Sequence, residues 1–203
     1  MKESAVISAA VEGPVDEAVV RKLIVHVGGI AGTICGKNGK ANLRQRIRGF
    51  NHAAHYSPWI VLVDLNSDAE CAPPLCREWL PDLAPHLCFR VAVKEVEAWL
   101  MADIESMASF LSIARAKIPA DPEDLLDPKT MMVNMARRSR RWAVRADMVP
   151  REGSGRPVGP AYTSRLIEFV QNRWRPDIAA ERAASLHRAI SCLRRLVAKT
   201  SSI

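Results

Sequence analysis

The chain has 203 residues, enough for one domain with a sizeable core, or one α/β unit with a smaller appendage. Apolar residues at 48% and charged residues at 25% are ordinary for a soluble globular protein, and no apolar run approaches the ~18–20 residues of a membrane span. The net charge of +7 divides unevenly: residues 1–103 hold 11 Lys/Arg against 12 Asp/Glu, a net of −1, and residues 104–203 hold 18 against 10, a net of +8.

In chain order, Met1-Lys2-Glu3-Ser4 leads directly into a strand-like run and does not read as a secretion signal. Residues 5–11 form a short apolar run stopped by Glu12-Gly13-Pro14, which predicts a buried strand and a turn. Pro14 with Asp16 and Glu17 in a first helical turn predicts a helix start. Residues 29–34 are a second candidate strand, ended by Gly36-Lys37-Asn38-Gly39-Lys40. A basic amphipathic helix over 41–55 follows, with Leu43, Ile47 and Phe50 on one face. Trp59-Ile60-Val61-Leu62-Val63 is the clearest strand and closes on Asp64-Leu65-Asn66-Ser67-Asp68. A weak, proline-flanked helix over 72–83, a strand over 87–93 and a long helix over 95–113 complete this part.

The order βαβαβαβα predicts an α/β fold with a mainly parallel, doubly wound sheet and helices on both faces. Ligands collect outside the carboxyl ends of the strands in such sheets. Glu12, Asp64, Asn66 and Glu95 all fall just past predicted strand ends. Residues 114–128 read as a proline-broken connector and 129–145 as a very basic helix. Residues 148–160 read as a Gly/Pro-rich loop, and two last helices follow over 161–173 and 177–199. The expected division is an α/β domain over 1–113 and a basic helical C-terminal extension over 114–203 that packs on it.

The acidic residues are the candidates for chemistry. A hard divalent cation such as Mg²⁺ takes oxygen ligands, often one or two carboxylates, and keeps several waters. Asp64 with Asn66 or Asp68 supplies such oxygens at one turn, although Asp, Asn and Ser also favour turns with no metal. Glu12 closes an apolar strand, where a carboxylate is costly to bury unless it binds a cation or is hydrogen-bonded. Glu95, Trp99 and Asp103 fall on one helical stripe that leaves Glu97 elsewhere, and Trp99 suits core packing better than base stacking.

The backbone N–H groups of Gly36-Lys37-Asn38-Gly39-Lys40, aided by its two lysines, could cradle a phosphate, a plain surface turn being the alternative, and no Walker A loop is present. Five cysteines without CxxC spacing argue against a disulfide framework or zinc ribbon and suit a reducing cytoplasm. The histidines make no zinc-hydrolase pattern, and Gly153-Ser154-Gly155 lacks the strand-to-helix setting of a nucleophile elbow.

Taken together, four stretches resemble the DUF4276 family of TOPRIM-like proteins: Val11-Glu12-Gly13-Pro14-Val15-Asp16-Glu17, Gly36-Lys37-Asn38-Gly39-Lys40, Val63-Asp64-Leu65-Asn66 and Glu95-Val96-Glu97-Ala98-Trp99-Leu100-Met101-Ala102-Asp103. The likeness covers about residues 5–113. It implies kinship with the TOPRIM domains of topoisomerases, primases and OLD-type, abortive-infection nucleases. There, a strand-end glutamate and an Asp-x-Asp pair support Mg²⁺- or Mn²⁺-dependent phosphodiester chemistry. It also implies a partner ATPase in a phage-defence system.

By position, Glu12 matches the TOPRIM glutamate, Asp64 the first aspartate and Asn66 the second, a departure that removes a negative charge. Glu95 and Glu97 would form a second acidic cluster able to hold another ion. The expectation is a metal-dependent nuclease with Glu12, Asp64 and Glu95 as catalytic residues and Asn66, Asp68 and Glu97 as further metal ligands. Lys37, Lys40, Arg137, Arg138, Arg140 and Arg141 would hold the DNA or RNA backbone. The competing expectation is a catalytically weak module that binds nucleic acid or the ATPase.

Overall fold

A computed structural model describes residues 4–66, 68 and 71–200. Met1 to Glu3 and Ser67, which enter the readings of the N-terminus and of the turn after the third strand, lie outside the described residues. Strands β1 (Val6–Val11), β2 (Ile30–Gly36), β3 (Trp59–Asp64) and β4 (Leu87–Ala92) form one sheet in the order β2-β1-β3-β4. Every pairing is parallel, and Asp64 at the end of β3 stands opposite Ala92 at the end of β4. The protein is therefore a Rossmann-like α/β fold with helices on both faces of its sheet, as the alternation of apolar runs predicts.

The faces separate because side chains along a strand alternate. In β3, Ile60 and Leu62 face one core while Val61 and Val63 face the other. Helix α1 (Pro14–His26) packs in the first core; α2 (Gly39–Ala53) and α3 (Ala72–Trp79) cover the second. The winding thus reverses between β1 and β3, and the crevice beyond their carboxyl ends is the expected ligand position.

Three predicted helices are each two. The stretch 95–113 splits into α4 (Val96–Ala102) and α5 (Ile104–Leu111) at Asp103, whose side chain caps α5 through the Ser106 N–H. The stretch 129–145 splits into α6 (Pro128–Arg137) and α7 (Trp142–Met148) around a buried Ser139. The last predicted helix, 177–199, splits into α9 (Pro176–Ala180) and α10 (Ala184–Thr200). Helical periodicity continues across each break, so the pattern of apolar residues alone does not reveal it.

The helices after residue 113 do not form a separate core. Met132, Leu166, Phe169, Trp174, Leu186, Ala189 and Leu193 are fully or almost fully buried in the same cluster as Ile7, Leu23, Ile60 and Trp99. Helix α8 (Tyr162–Asn172) lies against α1, and α10 lies against β4. Trp99 is 0% exposed, and its indole N–H donates to Ser185 Oγ at 2.7 Å. This is the packing role expected of it.

Candidate functional site

The site is built where β1 and β3 end. The Glu12 carboxylate, half-buried, accepts the Asp64 backbone N–H at 2.9 Å. The Asp64 carboxylate is 9% exposed and accepts the Val96 N–H at 3.0 Å, at the start of α4. The loops past β3 and β4 are joined as well. Leu65 N–H donates to the Ala92 carbonyl at 2.8 Å and Asn66 N–H to the Lys94 carbonyl at 2.9 Å.

Gly36 supports the neighbouring edge. Its φ of +94° and the 2.2 Å at which an added Cβ would meet the Val11 carbonyl oxygen leave room for glycine alone. The turn it makes lets Lys37 N–H bond the Val11 carbonyl and Gly39 N–H bond the Glu12 carbonyl. Those two amides are therefore engaged by β1.

Glu95 and Glu97 come to the same side, although helical spacing separates them. Glu95 precedes α4 with extended backbone (φ −141°, ψ 160°), whereas Glu97 lies in the helix's first turn. Both face Lys129, whose Nζ is 2.8 Å from Glu95 Oε1 and 3.8 Å from Glu97 Oε1. Lys129 N–H also donates to Glu95 Oε2 at 3.0 Å, and the Tyr162 hydroxyl donates to Glu97 Oε1 at 3.1 Å. Helices α6 and α8 therefore supply the groups that satisfy the acids of the front segment. Lys129 and Tyr162 are absent from the sequence-based site, because only the tertiary fold brings them here.

Asp16 is the other missed residue. It lies in the first turn of α1 and is 6% exposed, and its Oδ1 has no hydrogen-bond partner. Its signal was present in the sequence: Glu12 and Asp16 are four residues apart, but an acid in a first helical turn also suits the helix dipole.

The electrostatics are those of crowded carboxylates. Burial, then Glu97 and Glu12, push Asp16 up to about 7. Burial, then Asp16, Glu97, Glu12 and Glu95, raise Asp64 well above the usual carboxylate range. Burial raises Glu12 against the opposing Asp64 N–H, and raises Glu97 against the opposing Lys129 ammonium. Burial disfavours the Lys129 ammonium, but Glu97 and Glu95 outweigh it and hold Lys129 above its ordinary value.

The remaining sequence candidates are placed as follows. Asn66 has a left-handed backbone (φ +50°) and lines a cleft of ≈ 370 Å³ with Lys94, Glu95, Asp127, Lys129 and Thr130. Asp68 is exposed and paired with Lys40 Nζ at 2.5 Å. The same ammonium donates to the Asp64 carbonyl and, at 3.3 Å, to the Leu65 carbonyl. Lys37 pairs with Glu17 at 2.9 Å. Arg137, the last residue of α6, and Arg138, Arg140 and Arg141 on the turn that follows are exposed. Asp103 leaves the acidic group altogether and is forked by Arg175 at 3.0 and 2.6 Å.

Among the described residues, no three His, Cys, Asp or Glu side chains form a ready-made metal cage. The donor types, though not a preformed cage, are those a hard cation takes. They are all oxygen, Asp16 Oδ1 is buried without a partner, and Mg²⁺ commonly takes only one or two carboxylates besides water and phosphate. Comparison with known proteins yields no match: no family model, no curated protein and no solved structure is similar to the chain.

Proposed function

We propose that this chain is a Mg²⁺- or Mn²⁺-dependent TOPRIM-like nuclease of the DUF4276 kind that hydrolyses phosphodiester bonds in DNA or RNA. The observation that carries the reading is the gathering of Glu12, Asp16, Asp64 and Glu97 at the winding reversal of a parallel sheet, each with its acid raised by burial. So many carboxylates in one buried region suit a centre that meets a cation in its working state.

Glu12 and Asp64 are the residues that would hold the metal, which would supply Lewis-acid stabilisation of a phosphate oxygen and a more acidic water. The chain's own groups have distinct tasks. Val96 N–H and Asp64 N–H fix the orientations of the Asp64 and Glu12 carboxylates. Glu95 and Glu97 share Lys129, whose ammonium borders the cleft that also holds Asn66. A phosphate entering that cleft would meet this cation, and Glu95 could then relay a proton.

The deciding measurement is cleavage of single-stranded and duplex DNA and RNA with Mg²⁺ or Mn²⁺, wild type beside Asp64→Ala. Metal-dependent cutting that Asp64→Ala abolishes is the expected result; cutting that survives in the variant ends the proposal. A partner ATPase and a phage-defence role enter through the family resemblance, and co-purification of an ATPase with the tagged chain tests them.

One observation favours a second reading, a non-cleaving module that binds nucleic acid or the ATPase. Asn66 replaces a carboxylate, and Lys40 already holds Asp68 and the Asp64 and Leu65 carbonyls. Salt-dependent binding without cleavage at any Mg²⁺ or Mn²⁺ concentration would select it.

A further inference from the structure

The turn between α6 and α7 carries a surface that the acidic site does not explain. Trp142 opens α7 with 74% of its surface exposed. Exposing an indole forgoes one of the largest apolar burials a side chain can supply. Around it, Arg137, Arg138, Arg140 and Arg141 are all exposed, and among the described residues none of the four pairs with a carboxylate. The turn itself is well anchored. Ser139 is 3% exposed, Arg141 N–H donates to its Oγ at 3.1 Å, and Arg140 N–H donates to the Ser112 carbonyl at 3.3 Å. The arginines and Trp142 are therefore presented outward by a fixed backbone.

Beside this turn lies a cleft of ≈ 520 Å³ whose floor includes Ile118, Met131 and Met135 and whose rim includes Lys117, Arg137 and Arg138. An apolar floor under cations suits a ligand with planar apolar faces and regular negative charges. Helix α6 joins the two regions: Lys129 near its start faces the acidic site, and Arg137 at its end lines the cleft. Its ten residues span ~15 Å, the reach of a few nucleotides.

We propose that Trp142, with Arg138, Arg140 and Arg141, is a stacking platform that selects single-stranded nucleic acid and leads it toward the acidic site. The proposal rests on the nucleic-acid reading above and adds the substrate class to it. An unpaired base has an open π-face for the indole while arginines neutralise its phosphates; a duplex hides its base faces and leaves Trp142 without a partner.

The test is binding of labelled single-stranded and duplex oligonucleotides of one sequence, in EDTA so that cleavage is suppressed, over a salt series. The wild type should prefer the single strand. Trp142→Ala should weaken single-strand binding about 10-fold with little change in salt slope, and Trp142→Phe should retain most of it. Arg138→Ala and Arg141→Ala should each make the salt slope shallower. Unchanged circular dichroism and melting temperature certify the folds.

Equal or tighter duplex binding, or single-strand binding unmoved by Trp142→Ala, overturns the platform. If that variant also cleaves like wild type, the nuclease reading survives alone. Wild type that binds neither form in EDTA removes the platform, and the nuclease reading then stands or falls on the metal-dependent cleavage assay alone.

Discussion

The carboxylate of Glu12 accepts the backbone N–H of Asp64 at 2.9 Å, so the ends of β1 and β3 are tied across the reversal in the sheet's winding. Asp64 in turn takes the Val96 N–H, which extends the connection to the start of α4. Three segments distant in sequence thus orient two carboxylates through backbone amides, and side-chain exchange at these positions can be separated from loss of the fold.

Asp64→Asn keeps an oxygen for the Val96 N–H but removes the charge. Metal-dependent cleavage should fall by about 10²–10³-fold. The metal-free variant should melt higher than wild type at pH 8, because a crowded carboxylate is gone. Paired cleavage rates and thermal melts check this; a variant that loses activity and stability together would point to misfolding instead.

Asp16 gives a pH dependence with a definite sign. Its folded-state pKa is about 7 against an ordinary 3.8, so between those values the folded protein holds a proton that the unfolded chain releases. Metal-free stability should therefore be undiminished by this group below pH 3.8 and should decline as pH rises toward 7. Asp16→Asn should be near neutral at pH 4 and should stabilise by ~1–3 kcal/mol at pH 8, read from urea melts. Equal effects at the two pH values would contradict the burial argument.

Arg175 guards the junction between α4 and α5. It forks Asp103, which is 0% exposed, while Asp103 also accepts the Ser106 and Arg175 N–H groups. These partners hold the Asp103 acid below its ordinary value despite the opposing effect of burial. Arg175→Ala should destabilise by about 2–3 kcal/mol, less than for a fully buried pair because the guanidinium is partly exposed. The deficit should shrink as pH falls through the lowered Asp103 pKa, where the carboxylate protonates. Denaturant melts at acid and neutral pH measure both.

Cys192 on α10 sits beside Cys88 of β4. The Cys88 thiol and then Arg90 favour its thiolate and bring it down to about 5, whereas burial pushes Cys88 well up. Iodoacetamide at pH 6 should alkylate Cys192 ahead of the more exposed Cys71, and Arg90→Met should slow it. Peptide mass mapping reads the order; labelling of Cys71 first would refute it.

The strands and the parallel sheet were legible because short apolar runs bounded by turn residues, alternating with helical spacing, suit little besides buried strands. Glu12 and Asp64 were legible for the same reason, as charges at the ends of such runs. Asp16 was visible but ambiguous, since a first-turn acid also answers the helix dipole. Lys129 and Tyr162 could not be read: their significance depends on α6 and α8 folding back onto α4, and no local pattern encodes that approach. The breaks at Asp103, Ser139 and residues 181–183 were equally hidden, because apolar spacing continues through them.

The Lys129 contact has a consequence for how the protein is made. A ribosome that has completed β4 has already produced Glu12, Asp16 and Asp64. It has not yet produced the ammonium that stands against Glu95 and Glu97, the phenol that meets Glu97, or the α10 residues that close the core over β4. The front segment thus emerges before its counter-charges exist, and the acidic centre is complete only once α6 and α8 have been made.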